Sequence, residues 1–171
     1  RIYDEDVAML ERLINNNPLL YSVRVYASSD NVQEMMPVIF KKSRMEKLEW
    51  AKKEDVYGWH FGYADTLFST LESEDTSQLL SLVTEIKDFK HGTIGTIEVA
   101  MNMSTMFPSL YEEESNTWSG FWTEDKVYYK ADRQKWIDEE LLARVQQSMD
   151  EAFEAGTNKD TYFEQAGKHR Y

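Results

Sequence analysis

Between Arg44 and Asp65 the chain gathers Trp50, Tyr57, Trp59, His60, Phe61 and Tyr63, with the Arg44 cation and the Asp65 carboxylate at the two ends. Aromatic walls with a few fixed polar groups are how small-molecule pockets are built. Arg44, Trp50, Trp59, Tyr63 and Asp65 are therefore the candidate ligand-binding residues. The same aromatics would serve equally as the core of a small sheet domain, since aromatic side chains dominate ordinary cores too. Both readings stand at this point.

Other chemistry finds less support. No G-x-G-x-x-G, Walker A, H-E-x-x-H or G-x-S-x-G pattern occurs, and the one G-x-x-G, Gly92-Thr93-Ile94-Gly95, falls at a hairpin. The histidines His60, His91 and His169 are far apart, so a metal site would need the fold to bring His60, Asp65 and a distant carboxylate together. No metal or cofactor is expected. The 31 acidic residues leave room for a carboxylate pair that could hydrolyse glycans. No pair stands out, because Glu112–Glu114 read as a linker and Glu139–Glu140 as the first turn of a helix. No catalytic residue is assigned.

Composition narrows the classes further. With 19 basic against 31 acidic residues the 171-residue chain carries a net charge of −12, which disfavours nucleic acid and adhesion to anionic lipid through a basic patch. Absence of cysteine removes disulfides and thiol chemistry. No uncharged run approaches the roughly 20 residues of a spanning helix, and no signal peptide is visible.

The elements that must position these residues follow from periodicity. Tyr3, Val7, Leu10 and Ile14 form one apolar helical stripe that ends at Asn15-Asn16-Asn17-Pro18. That stripe can pack on its own domain or pair with a second copy of the chain. Tyr21–Ala27 alternates as a strand closed by Ser28–Asn31. Val32–Glu54 reads as helical or irregular, and Tyr57–Tyr63 as a short strand or a pocket-lining loop. Leu71–Ser77 is a surface loop. Leu79–Lys87 and Thr93–Met103 form an antiparallel hairpin, with Gly95, Ile97, Val99 and Met101 on one face, and Asn102–Leu110 is a short helix.

A linker at 111–117 separates a first unit, 1–110, from a second, 118–171. The second opens with a hairpin around Glu124–Lys126. A helix follows, N-capped by Asp138, with a buried stripe of Leu142, Val145, Met149 and Phe153 and Gly156 as its C′ residue. A strand at Thr161–Gln165 lacks a partner, so this unit looks cut short. The fold class is α+β with antiparallel sheets, since no strict βαβ alternation occurs.

The run Tyr21-Ser-Val-Arg-Val-Tyr26, then Pro37-x-Ile39-Phe40, Ser43-Arg44, Trp50, Leu82-Val-Thr-Glu-Ile86 and Gly92-Thr-Ile-Gly-Thr-Ile97 together resemble the extracellular sensor region of YesM-like bacterial sensor histidine kinases. The resemblance spans nearly the whole chain through loose hydrophobic patterns. It implies a double Cache architecture: a long N-terminal helix, a membrane-distal PAS-like antiparallel sheet module and a smaller membrane-proximal module, here incomplete. It also implies a ligand-sensing region on the extracellular face of the bacterial membrane, without catalysis of its own. The ligand would be a small molecule. A weak homodimer through Tyr3, Val7, Leu10 and Ile14 is expected, and membrane contact only through flanking helices. Amino-acid-binding relatives carry an Arg two residues before a Trp-Tyr pair. Here Leu48 stands before Trp50 and Ala51 after it, so an amino-acid ligand is not implied. The alternative from a different class is a secreted, carboxylate-dependent hydrolase acting on glycans.

Overall fold

The computed structural model describes residues 3–68, 78–111, 119–123, 127–129 and 139–156. The chain divides into two compact units, through residue 112 and from residue 113. The first unit begins with helix α1 (Tyr3–Asn16). Strands β1 (Ser22–Ala27) and β2 (Ile39–Phe40), the single-turn helix α2 (Lys42–Met45) and a 3-10 turn at Trp50–Lys52 follow. Strands β3 (Gly58–Tyr63), β4 (Leu79–Asp88) and β5 (Gly92–Asn102) come next, then the short helix α3 (Met103–Met106) and a 3-10 turn at Pro108–Leu110.

One five-stranded sheet, ordered β2-β1-β5-β4-β3, organises this unit. Strands β1, β5 and β4 pair antiparallel as their alternation predicts, with Val23 opposite Val99 and Leu82 opposite Val99 on the other side. The edge differs from the expected all-antiparallel sheet. Residues 28–38 carry the chain back, so that β2 runs parallel to β1, with Val25 opposite Ile39 and Tyr26 opposite Phe40. The sheet is therefore mixed. Gly92 at φ 72° closes the β4–β5 turn. A Cβ on Gly95 would stand 2.8 Å from the Tyr26 carbonyl oxygen, so only glycine lets the two backbones approach there. The segment Tyr57–Tyr63 is a strand from Gly58 on, with a bulge between Phe61 and Tyr63 where Gly62 takes φ 66°.

Helix α1 lies beside β1. Val7 is buried and Leu10 and Ile14 are half-buried, while Met9 and Leu13 on its other side are exposed. The Tyr3 side chain lies outside the described residues.

In the second unit β6 (Gly120–Trp122) and β7 (Val127–Tyr129) form the expected antiparallel hairpin, and α4 spans Glu139–Glu154. Its buried stripe is displaced from the expected one. Leu141 is the buried residue, Leu142, Val145 and Met149 are half-buried, and Phe153 is exposed. Gly156 takes φ 59° and donates its N–H to the Phe153 carbonyl, as a C′ glycine does. The 71–77 loop, residues 112–117 of the linker, the Asp138 cap and the strand at 161–165 lie outside the described residues.

Candidate functional site

Alternation along a strand sends successive side chains to opposite faces of the sheet, and directly opposed residues share a face. Ser22, Arg24 and Tyr26 of β1 stand opposite Ala100, Glu98 and Thr96 of β5. Ala100 and Glu98 stand in turn opposite Ser81 and Val83 of β4, and Ser81 opposite His60 of β3. All nine are buried. The opposite face carries Val23, Val25, Ile97, Val99, Leu80, Leu82, Trp59 and Phe61. It is the more apolar of the two: Val23 and Leu80 are buried there, Val25, Phe61, Ile97 and Val99 half-buried, and Leu82 and Trp59 exposed. An antiparallel sheet ordinarily buries its apolar face and wets its polar one. Here a polar face lies inside.

The cover comes from the segment between β1 and β4. Phe40, Leu48 and Trp50 pack with Tyr26 and Val83 into one cluster, joined by Met45, Ala51, Val56, Tyr63 and Leu67. Trp50 meets Tyr26 edge-on at 6.0 Å between ring centroids and His60 at 5.7 Å. Residues 64–68 complete the cover. Asp65 receives both ends of the Arg24 guanidinium, Nη1 to Oδ1 at 2.9 Å and Nη2 to Oδ2 at 2.7 Å. The Tyr21 hydroxyl donates to Oδ2 at 2.8 Å, and the Leu67 N–H to Oδ1 at 3.2 Å. A two-pronged Arg–carboxylate pair of this kind fixes orientation as well as adding energy.

Glu98, 2% exposed, lies deeper. Its Oε1 accepts from the Tyr26 hydroxyl at 3.0 Å and its Oε2 from the Tyr63 hydroxyl at 2.9 Å. The two acids respond oppositely. Burial pushes Glu98 above the ordinary carboxylate range, and the Tyr63 and Tyr26 bonds and the Arg24 charge offset this only in part. Burial also pushes Asp65 up, but the bonds and charge of Arg24, then Tyr21 and Leu67, outweigh it and hold Asp65 low. Burial and the neighbouring Glu98 charge raise both tyrosines, keeping them donors.

The sequence candidates separate in space. Trp50, Tyr63 and Asp65 come together at the buried polar face. Arg44 sits at the rim, half-exposed and paired with Glu34, Nε to Oε1 at 2.7 Å and Nη2 to Oε2 at 2.8 Å. The Glu34 bond holds that guanidinium charged and the Arg44 bond holds Glu34 low. Phe68 links rim to floor, its ring 6.0 Å from the Arg44 guanidinium and 5.7 Å from that of Arg24. Trp59 corrects the expectation: it stands opposite Leu82, on the other face, where it is 55% exposed and stacks on Phe61 at 6.3 Å. Among the described residues no group of three or more His, Asp or Glu side chains converges on a metal position. His60 donates from Nε2 to the Val56 carbonyl at 2.7 Å.

Arg24, Glu98, Tyr21, Tyr26 and Ser22 escaped the sequence reading. Val-Arg-Val and Ile-Glu-Val belong to runs that alternate as strands, and nothing in the alternation marks their charges as site residues. The one available signal was that β1 and β5 each place a single charge, of opposite sign, within an otherwise uncharged run. Three groups in or beside this face, the Trp50 indole Nε1 and the Ser22 and Ser81 hydroxyl oxygens, have no hydrogen-bond partner among the described residues. A buried donor left unpaired costs about 1–3 kcal/mol, so all three are groups that an acceptor on a bound molecule would satisfy. No family model, curated protein or solved structure matches this chain.

Proposed function

We propose that the first unit is a ligand-sensing module, the extracellular sensor region of a bacterial two-component histidine kinase, which binds a small molecule at its buried polar sheet face. The observation that carries this is the burial of a polar sheet face: charged and hydroxyl side chains of β1 and β5 lie inside, beneath an aromatic cover, with Trp50 Nε1, Ser22 Oγ and Ser81 Oγ unpaired. A domain stabilised by its core alone gains nothing from such a face, since buried polar groups cost free energy unless fully satisfied. The α+β frame, with an N-terminal helix, an open sheet and a second unit, agrees with the arrangement that the sequence resemblance implies. Ligand occupancy would shift the cover at 34–68 between two arrangements, and α1, seated beside β1, would pass that bias towards flanking membrane helices.

The test is a thermal-shift screen of the chain against sugars, oligosaccharides, peptides, organic acids and metals. A ligand at 100 times its dissociation constant stabilises by about 2.7 kcal/mol. A screen in which no compound shifts the transition counts against sensing. The opposite shifts of Asp65 and Glu98 are also the pattern that an acid–base pair uses, which favours the glycan hydrolase as the second reading. Release of reducing sugar from the same oligosaccharides, lost in Glu98→Gln, would establish that reading instead.

A further inference from the structure

The Asp65 carboxylate sits in a seat made almost wholly by residues outside its own loop. Arg24 grips it with both prongs and Tyr21 adds a hydroxyl; only the Leu67 N–H is local. Arg24 is 7% exposed and belongs to a central strand, whereas Asp65 belongs to the connection after β3. The seat is thus part of the rigid frame, and its occupant hangs on a tether. The unpaired groups nearby point to the same chemistry. An indole N–H can only donate, so whatever satisfies Trp50 must bring an acceptor. Ser22 lies two residues from Arg24 on the same face of β1, roughly 7 Å along the strand.

We propose that Asp65 fills in cis the carboxylate site of this module, and that a small organic acid binds by taking its place on Arg24 and Tyr21. The inference rests on the sensing function proposed above and names its ligand class. The exchange keeps the buried charge constant: Arg24 retains one carboxylate partner, and Asp65 moves into water. A second oxygen on the incoming acid accepts from Ser22 or Trp50, an interaction that Asp65 does not make. The planar fork of a guanidinium matches a carboxylate, and the present occupant shows that the seat accepts one. Displacement also loosens the cover, because Leu67 packs on the Trp50 cluster and Phe68 contacts Phe40. Ligand binding and movement of residues 64–68 are then one event. A tethered competitor weakens apparent affinity by the fraction of time that it holds the seat, so removing it tightens binding.

The experiment measures acetate and succinate binding to the full chain by calorimetry, at constant ionic strength with chloride as control. It compares wild type, Asp65→Ala, Asp65→Asn and the double variant Asp65→Ala with Arg24→Gln. Asp65→Ala should bind both acids at least tenfold more tightly than wild type, and the double variant should bind neither. Asp65→Asn keeps a side chain in the seat and should fall between; if circular dichroism shows that Asp65→Ala does not fold, Asp65→Asn against wild type carries the comparison. In wild type, saturating succinate should speed amide exchange at Leu67, whose N–H bonds Asp65. Equal affinities in wild type and the Asp65 variants, binding that survives loss of Arg24, or succinate binding without a change at Leu67 would each overturn the proposal. A sugar or peptide that stabilises wild type and Asp65→Ala alike would overturn it while leaving the sensing function intact. Failure of sensing itself reads differently: no compound of any class stabilises wild type.

Discussion

Arg24 and Glu98 face each other directly across the β1–β5 pair, yet each is held by groups from elsewhere in the chain. Arg24 reaches the loop carboxylate of Asp65, 41 residues on, and Glu98 gathers the hydroxyls of Tyr26 and Tyr63. Two adjacent sheet positions thereby tie β1, β3 and the connection after β3 to the central strand.

Replacing Arg24 by Met should destabilise the first unit by about 3–5 kcal/mol, the cost of leaving the other member of a buried ion pair uncompensated. Removing both charges, Arg24→Met with Asp65→Leu, should cost less than the sum of the single changes, with a coupling of about 0.5–3 kcal/mol. Urea unfolding of the four proteins checks this. An additive cycle would show that the pair does not hold the cover.

The pH profile should show two opposed contributions. Glu98 has a folded-state value above its unfolded one, so its contribution is fully present below the ordinary glutamate range and is lost as pH rises through the raised value. Asp65 is held low, so its contribution is present above the ordinary aspartate range and is lost as pH falls through the depressed value. Glu98→Gln should therefore compare more favourably with wild type at pH 7 than at pH 4, and Asp65→Asn less favourably. Chemical denaturation at several pH values measures both slopes.

The two tryptophans should part company. Trp59→Ala should keep a cooperative fold at a cost of about 0.5–1.5 kcal/mol, the worth of an aromatic pair, and should keep any ligand-induced thermal shift. Trp50→Ala removes a side chain 2% exposed and should cost about 3–5 kcal/mol. Scanning calorimetry separates them, and loss of a ligand response in Trp59→Ala would restore that residue to the site.

Helix α1 leaves Met9 and Leu13 exposed beside half-buried Leu10, and each copy carries −12. Any self-association should be weak, strengthen with salt as repulsion is screened, and fall in Leu10→Lys through the lost apolar contact. Sedimentation equilibrium measures this. A monomer at millimolar concentration in both proteins would leave α1 a brace within one chain.

Periodicity in the sequence alone determined the α+β class, the N-terminal helix, the β4–β5 hairpin and the C′ glycine at Gly156, because local spacing and backbone conformation decide these. The density of aromatic and charged types singled out Arg44, Trp50, Trp59, Tyr63 and Asp65, of which Trp50, Tyr63 and Asp65 meet at the buried polar face. That the polar face of the sheet is buried as well was a tertiary decision. Val23, Val25, Ile97 and Val99 alternate as a buried face should, and nothing local to β1 or β5 records that residues 34–68 fold over the other one. The parallel β1–β2 edge was equally hidden, since two residues carry no period. The burial of Arg24 and Glu98 depends on partners 41 and 35 to 72 positions away. A charge within a strand reads as facing water until the distant group that neutralises it, or donates to it, has been brought into place.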